Sequence, residues 1–578
     1  MLGDRWICDR VPTERFPDYT RGNAGEVMAD PASPLGWTFC CEPGMAKGCV
    51  DGFEQMGVFD ALEYRTELPE SFGLFGGYFY NSLTQSRLFG VRSGVGWETV
   101  DRTFFDTASQ EIPPYVEQDW HASPRHTEKL GVTIAWCLST PNVPEIDLQK
   151  REAKALRDSR PDLTTLTAVQ LVARARSIQR HLRAFFSQVV WGALGSSIGT
   201  GILPALIGEL DPSATTKLMT GIGDVDSSDI AAQIFAISRE VNGSAELASL
   251  FDAGLDGLLD RAVTSDSADA KRFLAGVDHF MYEHGGRGPN EWDPYSWSYE
   301  SRPLLLLQAI EHARGAGDDA DPVRTIAAGA AERQRLIEHF EGVFADNPEA
   351  LGGFRAAVHS LGVFMASRER CKSNNIRAIG EVRQCFLELA RRAVEAGHLD
   401  HDRQIFMLLA DELEAWVDDP SSFTAKLAER EVDYLALYEL DPPYIVNGTV
   451  PRLSEWKRKN SGEVQPVRVG DVLNGVAGSP GTVTGTARIL LDLSDPSSLE
   501  PGDILIAPST DPSWTPLFLA AGGVVTNIGA VGTHAVIVSR ELGIPCVPSI
   551  ADATRRIPDG ATITVDGSIG TVTIDALP

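Results

Sequence analysis

A chain of 578 residues is too long for a single hydrophobic core, and with 43% hydrophobic and 23% charged residues it has the composition of a multidomain globular protein. Its net charge of −29 argues against a nucleic-acid partner, because phosphate contacts need clustered Lys and Arg. The eight cysteines, Cys40-Cys41 and Cys49 among them, show no zinc-site spacing, and Met1-Leu-Gly-Asp-Arg-Trp6 shows no signal pattern; a cytoplasmic protein with reduced thiols and no metal of its own is expected.

Residues 1 to about 130 are rich in Pro, Gly and aromatics and weakly periodic, which predicts irregular structure. Two blocks stand out there, Arg15-Phe-Pro-Asp-Tyr-Thr-Arg-Gly-Asn-Ala-Gly-Glu-Val27 and Ser33-Pro-Leu-Gly-Trp37, both readable as turn-rich loops around a hydrophobic anchor. Pro34 and Gly36 fix backbone direction, and Trp37 can supply an apolar wall. From about 145 to 440, apolar residues at three- and four-residue spacing predict helices over 167–190, 228–241, 268–284, 303–313, 322–344, 351–370 and 376–396. Residues 184–208 carry no charge and are long enough to cross a bilayer, but they contain Pro204 and lie between charged amphipathic stretches. They read as a buried helix broken near Gly199-Thr-Gly201, with no membrane partner.

Pro442-Pro443, Asn447-Gly448 and Trp456-Lys-Arg-Lys-Asn460 mark residues 441–470 as an exposed linker. Beyond it, 471–578 shows short Val/Ile strands broken by Gly and Pro, the pattern of a small α/β domain. Gly523 to Thr526 reads as a buried strand, Gly529 and Gly532 as a glycine loop, and 535–542 as a short helix stopped by Gly543 and Pro545. His534 sits where loop becomes helix. Free backbone N–H groups and the helix dipole favour an anion at that point, so its imidazole is suited to carrying a phosphoryl group. The alternative is a capping turn whose histidine faces solvent.

This run, with Thr533-His534 and Arg540-Glu-Leu-Gly-Ile-Pro545, resembles the phosphohistidine swivelling domain of the phosphoenolpyruvate synthase and pyruvate phosphate dikinase superfamily. The resemblance extends through Gly475-Val-Ala-Gly-Ser-Pro-Gly481, Gly485-Thr-Ala-Arg-Ile489, Pro501-Gly-Asp-Ile-Leu-Ile506, Thr510-Asp-Pro512, Ile557-Pro-Asp-Gly560 and Val565-Asp-Gly-Ser-Ile-Gly-Thr-Val572. Tyr282-Glu-His-Gly-Gly-Arg-Gly-Pro-Asn-Glu291, Trp292-Asp293 and Ser301-Arg-Pro303 look like the substrate domain of rifampin phosphotransferase and phenylphosphate-synthase-like proteins. So do Gly221-Ile-Gly-Asp-Val-Asp-Ser227, Ser367-Arg-Glu-Arg-Cys-Lys372, Ser33-Pro34-Leu35 and Trp37.

Together these imply a multidomain protein: a large, mainly α-helical acceptor-binding domain over 1–440, a linker over 441–470, and a small α/β phosphohistidine swivelling domain over 471–578. No segment has the length and glycine-rich strands of the ATP-grasp domain those enzymes carry, nor is there a Walker-type loop. ATP and Mg2+ are therefore expected on a separate ATP-grasp subunit.

Phosphoryl transfer asks for in-line positioning and for cations on the equatorial oxygens, and a histidine relay splits it into two easier steps. His534 is the expected phosphohistidine. Thr533 can bond the phosphoryl oxygens or cap the helix, two compatible roles. Arg368 and Lys372, four apart on a predicted helix, present both cations on one face, to a phosphoryl group or to solvent and Glu369; the resemblance implies that they face the phosphohistidine. Arg287 and Glu291 either form a structural ion pair or bind phosphate and take the acceptor's proton, and His284 is a second candidate base. The apolar 184–208 segment and Trp37 would suit an apolar acceptor, or simply a helical core. The resemblance implies a subunit of an ATP-dependent aryl dikinase, moving the β-phosphoryl group of ATP through His534 to a phenolic hydroxyl such as that of a hydroxyphenyl ketone. The alternatives are a rifampin-type antibiotic phosphotransferase component and a non-catalytic phosphocarrier.

Overall fold

The computed structural model describes residues 3–104, 112–211, 214–223, 226–459, 461, 464–491, 499–510, 514–529 and 533–578. Gly532, Asp511-Pro512 and Asp224-Val225 of the motifs above lie outside the described residues. The chain forms two compact units, and each is assembled from separated stretches.

The first unit comprises Met1–Ile198, Asn290–Ser296 and Ser367–Gly462. Its four-stranded antiparallel sheet runs in the order Phe72–Phe75, Tyr78–Ser82, Asp18–Thr20, Ile445–Asn447, with Tyr19 opposite both Ser82 and Val446. Gly76 and Gly77 turn the first hairpin at φ +56 and +77, the left-handed backbone that a tight turn needs. A side chain on Gly76 would enter the ring of Trp456, which is buried there.

Two sequence expectations change here. The segment read as irregular contains a π-helical stretch, Gly36–Ala46, running directly into the helix Lys47–Gln55. Trp37, Phe39, Cys40, Cys41 and Met45 are all buried, so this stretch has no polar face and shows no helical period in sequence. The segment read as an exposed linker supplies the edge strand Ile445–Asn447 and the buried Trp456 to the first unit. Proline- and glycine-rich sequence signals a change of direction, and here the direction changes within a packed core.

The second unit comprises Gly199–Pro289, Trp297–Ala366 and Glu463–Pro578. Helices Asp226–Asn242, Ala268–His284 and Leu304–Arg314 close on a core that includes Ile234, Phe273, Phe280, Leu306 and Ile310. The α/β part is a seven-stranded sheet in the order Cys546–Val547, Gly523–Thr526, Ile504–Ala507, Thr482–Ile489, Thr562–Asp566, Thr571–Ala576, Val472–Asn474. The first four strands pair in parallel and the rest antiparallel. Parallel strands are covered on both faces, which is why Ile504–Ala507 and Gly523–Thr526 are continuous apolar runs. Ile504, Ile506 and Val525 face one core with Ile563 and Val572; Leu505, Ala507 and Val524 face the other, with Phe518, Val536 and Val538. Leu519 joins the helical core around Phe280 and Ile310, and Leu542 packs against it, so the α/β part is docked on the helices of its own unit.

The predicted helices over 145–440 are present, with two differences, the first being that those expected over 351–370 and 376–396 are one continuous helix, Pro348–Glu395. The apolar segment belongs to an unbroken 40-residue helix, Ala168–Ile207, that runs through Gly199-Thr-Gly201 and contains Pro204. A side chain at Gly199 would meet the Ala357 carbonyl at 2.8 Å, and one at Gly192 would meet the Arg368 Cα at 2.8 Å. These glycines let the helix Pro348–Glu395 approach closely; they do not break the helix that contains them. Ala168–Ile207 is long and apolar enough to cross a membrane, with mean hydropathy 1.5 in its most apolar window. Phe185 and Val190 lie in the core of the first unit, and Leu203 and Ile207 in that of the second.

Candidate functional site

His534 is the first residue of the helix His534–Glu541, in the second unit. Thr533 holds the N-cap position in extended backbone, and its carbonyl accepts the first helical bond, from Ile537 N–H at 2.9 Å. The imidazole is held on both sides by hydroxyls: Nδ1 is 3.0 Å from Thr510 Oγ1 and Nε2 is 3.2 Å from Thr515 Oγ1, with the Phe518 ring meeting it edge-on at 5.9 Å. One nitrogen of a neutral imidazole donates and the other accepts, and hydroxyls can serve either need. The two hydroxyls thus orient the ring, and a phosphoryl group arriving at either nitrogen would displace one threonine.

Thr533 does not cap the helix with its side chain, contrary to one of the two roles open in the sequence. Its Oγ1 is buried and has no hydrogen-bond partner among the described residues. A buried hydroxyl one residue from His534 and lacking a partner is the kind of group that a phosphoryl oxygen would satisfy. Arg540, six residues on, is buried, and its Nε donates to the Gly478 carbonyl at 2.9 Å. Burial pulls its guanidinium down to about 10, against the opposing pull of Cys546 and Glu541. The arginine thus pins the carrier helix to the Gly475–Gly481 turn.

The cations expected to receive the group lie in the first unit, as does Glu291. Arg368 and Lys372 are on the helix Pro348–Glu395, and Lys372 Nζ is 3.3 Å from Glu291 Oε1. Glu291 is 2% exposed, so this is a buried ion pair whose ammonium, at 23%, still reaches solvent. Glu26 faces the same two cations. Burial pushes its carboxyl up to about 8, while Arg368 and Lys372 pull it down. Two cations and two carboxylates from three distant parts of the chain thus form one charged cluster, with one carboxyl poised to exchange a proton near neutral pH.

Two devices fix this cluster. The buried Arg21 donates through Nη1 to Phe79 O at 2.7 Å and Met28 O at 3.1 Å, and through Nη2 to Ala29 O at 3.1 Å. It clamps the short helix Ala24–Val27, which carries Glu26, onto the sheet. The second device is Asp293. Its Oδ2 accepts from Ser33 N–H at 2.6 Å, and its Oδ1 accepts from Ser33 Oγ at 2.7 Å and from Tyr295 N–H at 2.9 Å. A side chain on Gly36 would meet that carboxylate at 2.3 Å, so the Ser-Pro-Leu-Gly-Trp block needs its glycine. Arg383 donates to the carbonyls of Pro294 and Asp293, bracing the loop that presents Glu291.

The remaining candidates are placed elsewhere. Arg287 and His284 lie in the second unit, whereas Glu291 is in the first. His284 is buried, with Nε2 2.9 Å from Asp229 Oδ2; that hydrogen bond holds the Asp229 carboxyl below the usual carboxylate range. Arg287 is buried, and its carbonyl accepts from Tyr299 N–H at 2.9 Å. Trp37 is 2% exposed, and its Nε1 donates to Glu42 Oε1 at 2.6 Å, which places it in the first unit's core. Sequence reasoning assigned no role to Glu26 or Asp293. The signal for Glu26 is an acid between Gly25 and Val27 at the end of the Arg15–Val27 block; the signal for Asp293 is its place just after the Glu291 block.

Asp60, Glu63 and His126 cluster closely enough to hold a metal ion, but arginines take their oxygens: Arg92 bonds both oxygens of Glu63, and Arg125 bonds Asp60. This is an ion-pair network in which a cation would face competing guanidinium groups.

Residues 499–570 match the family described as "PEP-utilising enzyme, mobile domain", and residues 159–369 match the "Rifampicin phosphotransferase fourth domain". The chain is 25% identical to the prodigiosin synthesizing transferase PigC of Serratia marcescens over 99% of its own length and 65% of that protein's. It is 30% identical to a rifampicin phosphotransferase of Streptomyces sviceus over 52% of its own length and 34% of that enzyme's. A rifampicin phosphotransferase of Bacillus subtilis is 27% identical, with 55% and 36% covered. The chain thus spans between about a third and two thirds of the length of these relatives. It resembles rifampicin phosphotransferase and carries, in residues 499–570 around His534, the mobile domain of the phosphoenolpyruvate-utilising enzymes.

Proposed function

We propose that this chain is the acceptor-binding and phosphohistidine-carrying part of an ATP-dependent aryl dikinase. The observation that carries the reading is His534 itself: a histidine at a helix start, held between two hydroxyls, inside a segment that matches the mobile domain. The sequence holds no segment with the length and glycine-rich strands of an ATP-grasp domain and no Walker-type loop. ATP and Mg2+ are accordingly assigned to a separate ATP-grasp subunit, and the β-phosphoryl group of ATP is the one that His534 takes.

In the second half-reaction, a phenolic oxygen attacks phosphorus as the N–P bond breaks. The electron pair returns to the ring, which keeps its proton on the other nitrogen and becomes neutral. The phenol's proton passes to a carboxylate, and Glu26 is the better placed in acidity, because a base with a pKa near the working pH is both available and strong enough. Arg368 and Lys372 neutralise the equatorial oxygens during transfer. Because His534 and this cluster belong to different units, the reading requires that they meet during turnover. With water taking the γ-phosphoryl group, the products are an aryl phosphate, AMP and phosphate.

The test is turnover with a candidate ATP-grasp partner, ATP and a panel of phenols, including hydroxyphenyl ketones. Aryl phosphate formation with stoichiometric AMP supports the reading; ADP as the sole nucleotide product overturns the dikinase stoichiometry. A second reading draws on the relative whose match spans 99% of this chain: the phosphorylated acceptor is an activated intermediate that a second substrate displaces, as a synthesizing transferase would use it. It predicts release of inorganic phosphate with a coupled organic product, and no aryl phosphate that accumulates.

A further inference from the structure

In the second unit, the helix Pro322–Val343 and the first turns of Pro348–Glu395 border an open cavity of about 350 Å³, within the size range of small-molecule sites. Its wall combines Ile337, Phe354, Val358 and Val363 with two basic side chains, Arg333 and His359. At the rim, Arg355 is paired with Glu341 at 2.6 Å, so these two charges cancel. Among the described residues, Arg333 has no such partner. Its Nε donates to Leu218 O at 3.0 Å and its Nη2 to Val358 O at 3.3 Å, both uncharged carbonyls. Burial is the one influence on its acidity, and it pulls the guanidinium down, with no carboxylate opposing it.

A partly buried guanidinium without a counter-ion is costly in a helical domain, and here it sits in a chain of net charge −29. Apolar side chains in the same lining would not relieve that cost, but an anion attached to an apolar body would meet both kinds of group. We propose that this cavity is a binding site for a small organic monoanion, an aromatic or alkyl group bearing one carboxylate or sulfonate, with the anionic head on Arg333 and the body against Ile337 and Val363. Arg is the suitable residue, because its planar fork binds a carboxylate through two parallel hydrogen bonds. The site is independent of phosphoryl transfer: it needs neither His534 nor the Arg368–Lys372 pair. Gly362 lines the same cavity, and a Cβ there would lie in ordinary contact with Arg333 Nη2, at 3.6 Å.

The test is a fluorescence titration of the full chain with 8-anilinonaphthalene-1-sulfonate, followed by displacement with 4-phenylbutyrate, with the uncharged 4-phenylbutan-1-ol and with inorganic phosphate. Saturable binding is expected, with displacement by phenylbutyrate at concentrations about tenfold lower than the alcohol requires. R333Q weakens binding of the probe at least about tenfold, and G362W abolishes it by filling the cavity while retaining the cation. Equal competition by the alcohol would overturn the proposal, as would complete displacement by phosphate at the concentration at which phenylbutyrate acts. Undiminished probe binding in folded R333Q would also overturn it. Should R333Q fail to fold, undiminished binding in G362W decides the matter the same way.

Discussion

Ser33 and Asp293, 260 residues apart in sequence, are joined by two hydrogen bonds, from the Ser33 N–H at 2.6 Å and the Ser33 hydroxyl at 2.7 Å. This junction ties the Ser-Pro-Leu-Gly-Trp block to the loop that carries Glu291. Asp293 is wholly buried, and burial raises its carboxyl while the Ser33 bonds lower it. D293A would leave three buried donors without an acceptor, at roughly 1–3 kcal/mol each in a context that is not strictly additive. A loss of about 3 kcal/mol in urea unfolding is expected, with S33A costing about 1 kcal/mol. D293A matching the wild type in urea midpoint would show that the junction contributes nothing.

The charged cluster separates the two half-reactions. R368A and K372M are expected to leave phosphorylation of His534 unchanged and to slow transfer to the acceptor by about 10²–10³-fold, the usual consequence of removing one preorganised charge from a transferring group. Single-turnover transfer from the isolated phosphorylated chain is the measurement. Equal loss in both half-reactions would place these residues in structure and not in transfer.

Glu26 predicts a pH dependence of stability. Its folded-state pKa, about 8, lies above the carboxylate range of an unfolded chain. Between about pH 4.5 and 8 the folded state holds a proton that the unfolded state has lost, so this group's contribution falls as pH rises through that window. Glu412 acts in the opposite sense. Burial raises its carboxyl, but hydrogen bonds from Arg430 and Lys426 outweigh burial and hold it at about 2, so its contribution is present above about pH 4.5 and fades as pH falls below that. E26Q should flatten the alkaline side of a stability–pH profile and leave the acid side unchanged. It should also remove the rise of the transfer rate with pH, if Glu26 accepts the acceptor's proton. An unaltered transfer profile in E26Q would remove Glu26 from that role.

The threonines beside His534 are expected to act on orientation. T510V removes the hydroxyl nearest Nδ1 and T515V the one nearest Nε2. Each should slow phosphorylation about tenfold, the worth of one hydrogen bond of about 1.4 kcal/mol. The one facing the phosphorylated nitrogen should also change the lifetime of the phosphohistidine. Lifetimes identical to wild type in both variants would show that neither hydroxyl touches the reacting nitrogen.

The carrier domain is legible in sequence because its local signals agree. The buried parallel strand Gly523–Thr526 is continuously apolar, the helix begins at His534, and Gly543 ends it at φ +66. The helical middle is legible for the same reason, since its exposed faces preserve the three- and four-residue period. The first 130 residues are not. Gly36–Ala46 is buried on nearly every side and so lacks a period, and the Asp18–Thr20 strand takes its partner from residues 445–447. Of the site, His534 and the Arg368–Lys372 pair can be found from motif and spacing. The link between Lys372 and Glu291 cannot, because 80 residues of chain separate them. Glu26 is harder still: its unusual acidity arises from burial, and neighbours more than 300 positions away in the chain only partly offset it.

Phosphate carriage by His534 is tested most directly by incubating the chain with its ATP-grasp partner and ATP labelled at the β-phosphorus, then locating the label by peptide mass spectrometry. A heat-stable, acid-labile label on the peptide containing His534, absent from H534A, is the expected result. Label retained in H534A, or a labelled wild-type chain with His534 unmodified, would contradict it.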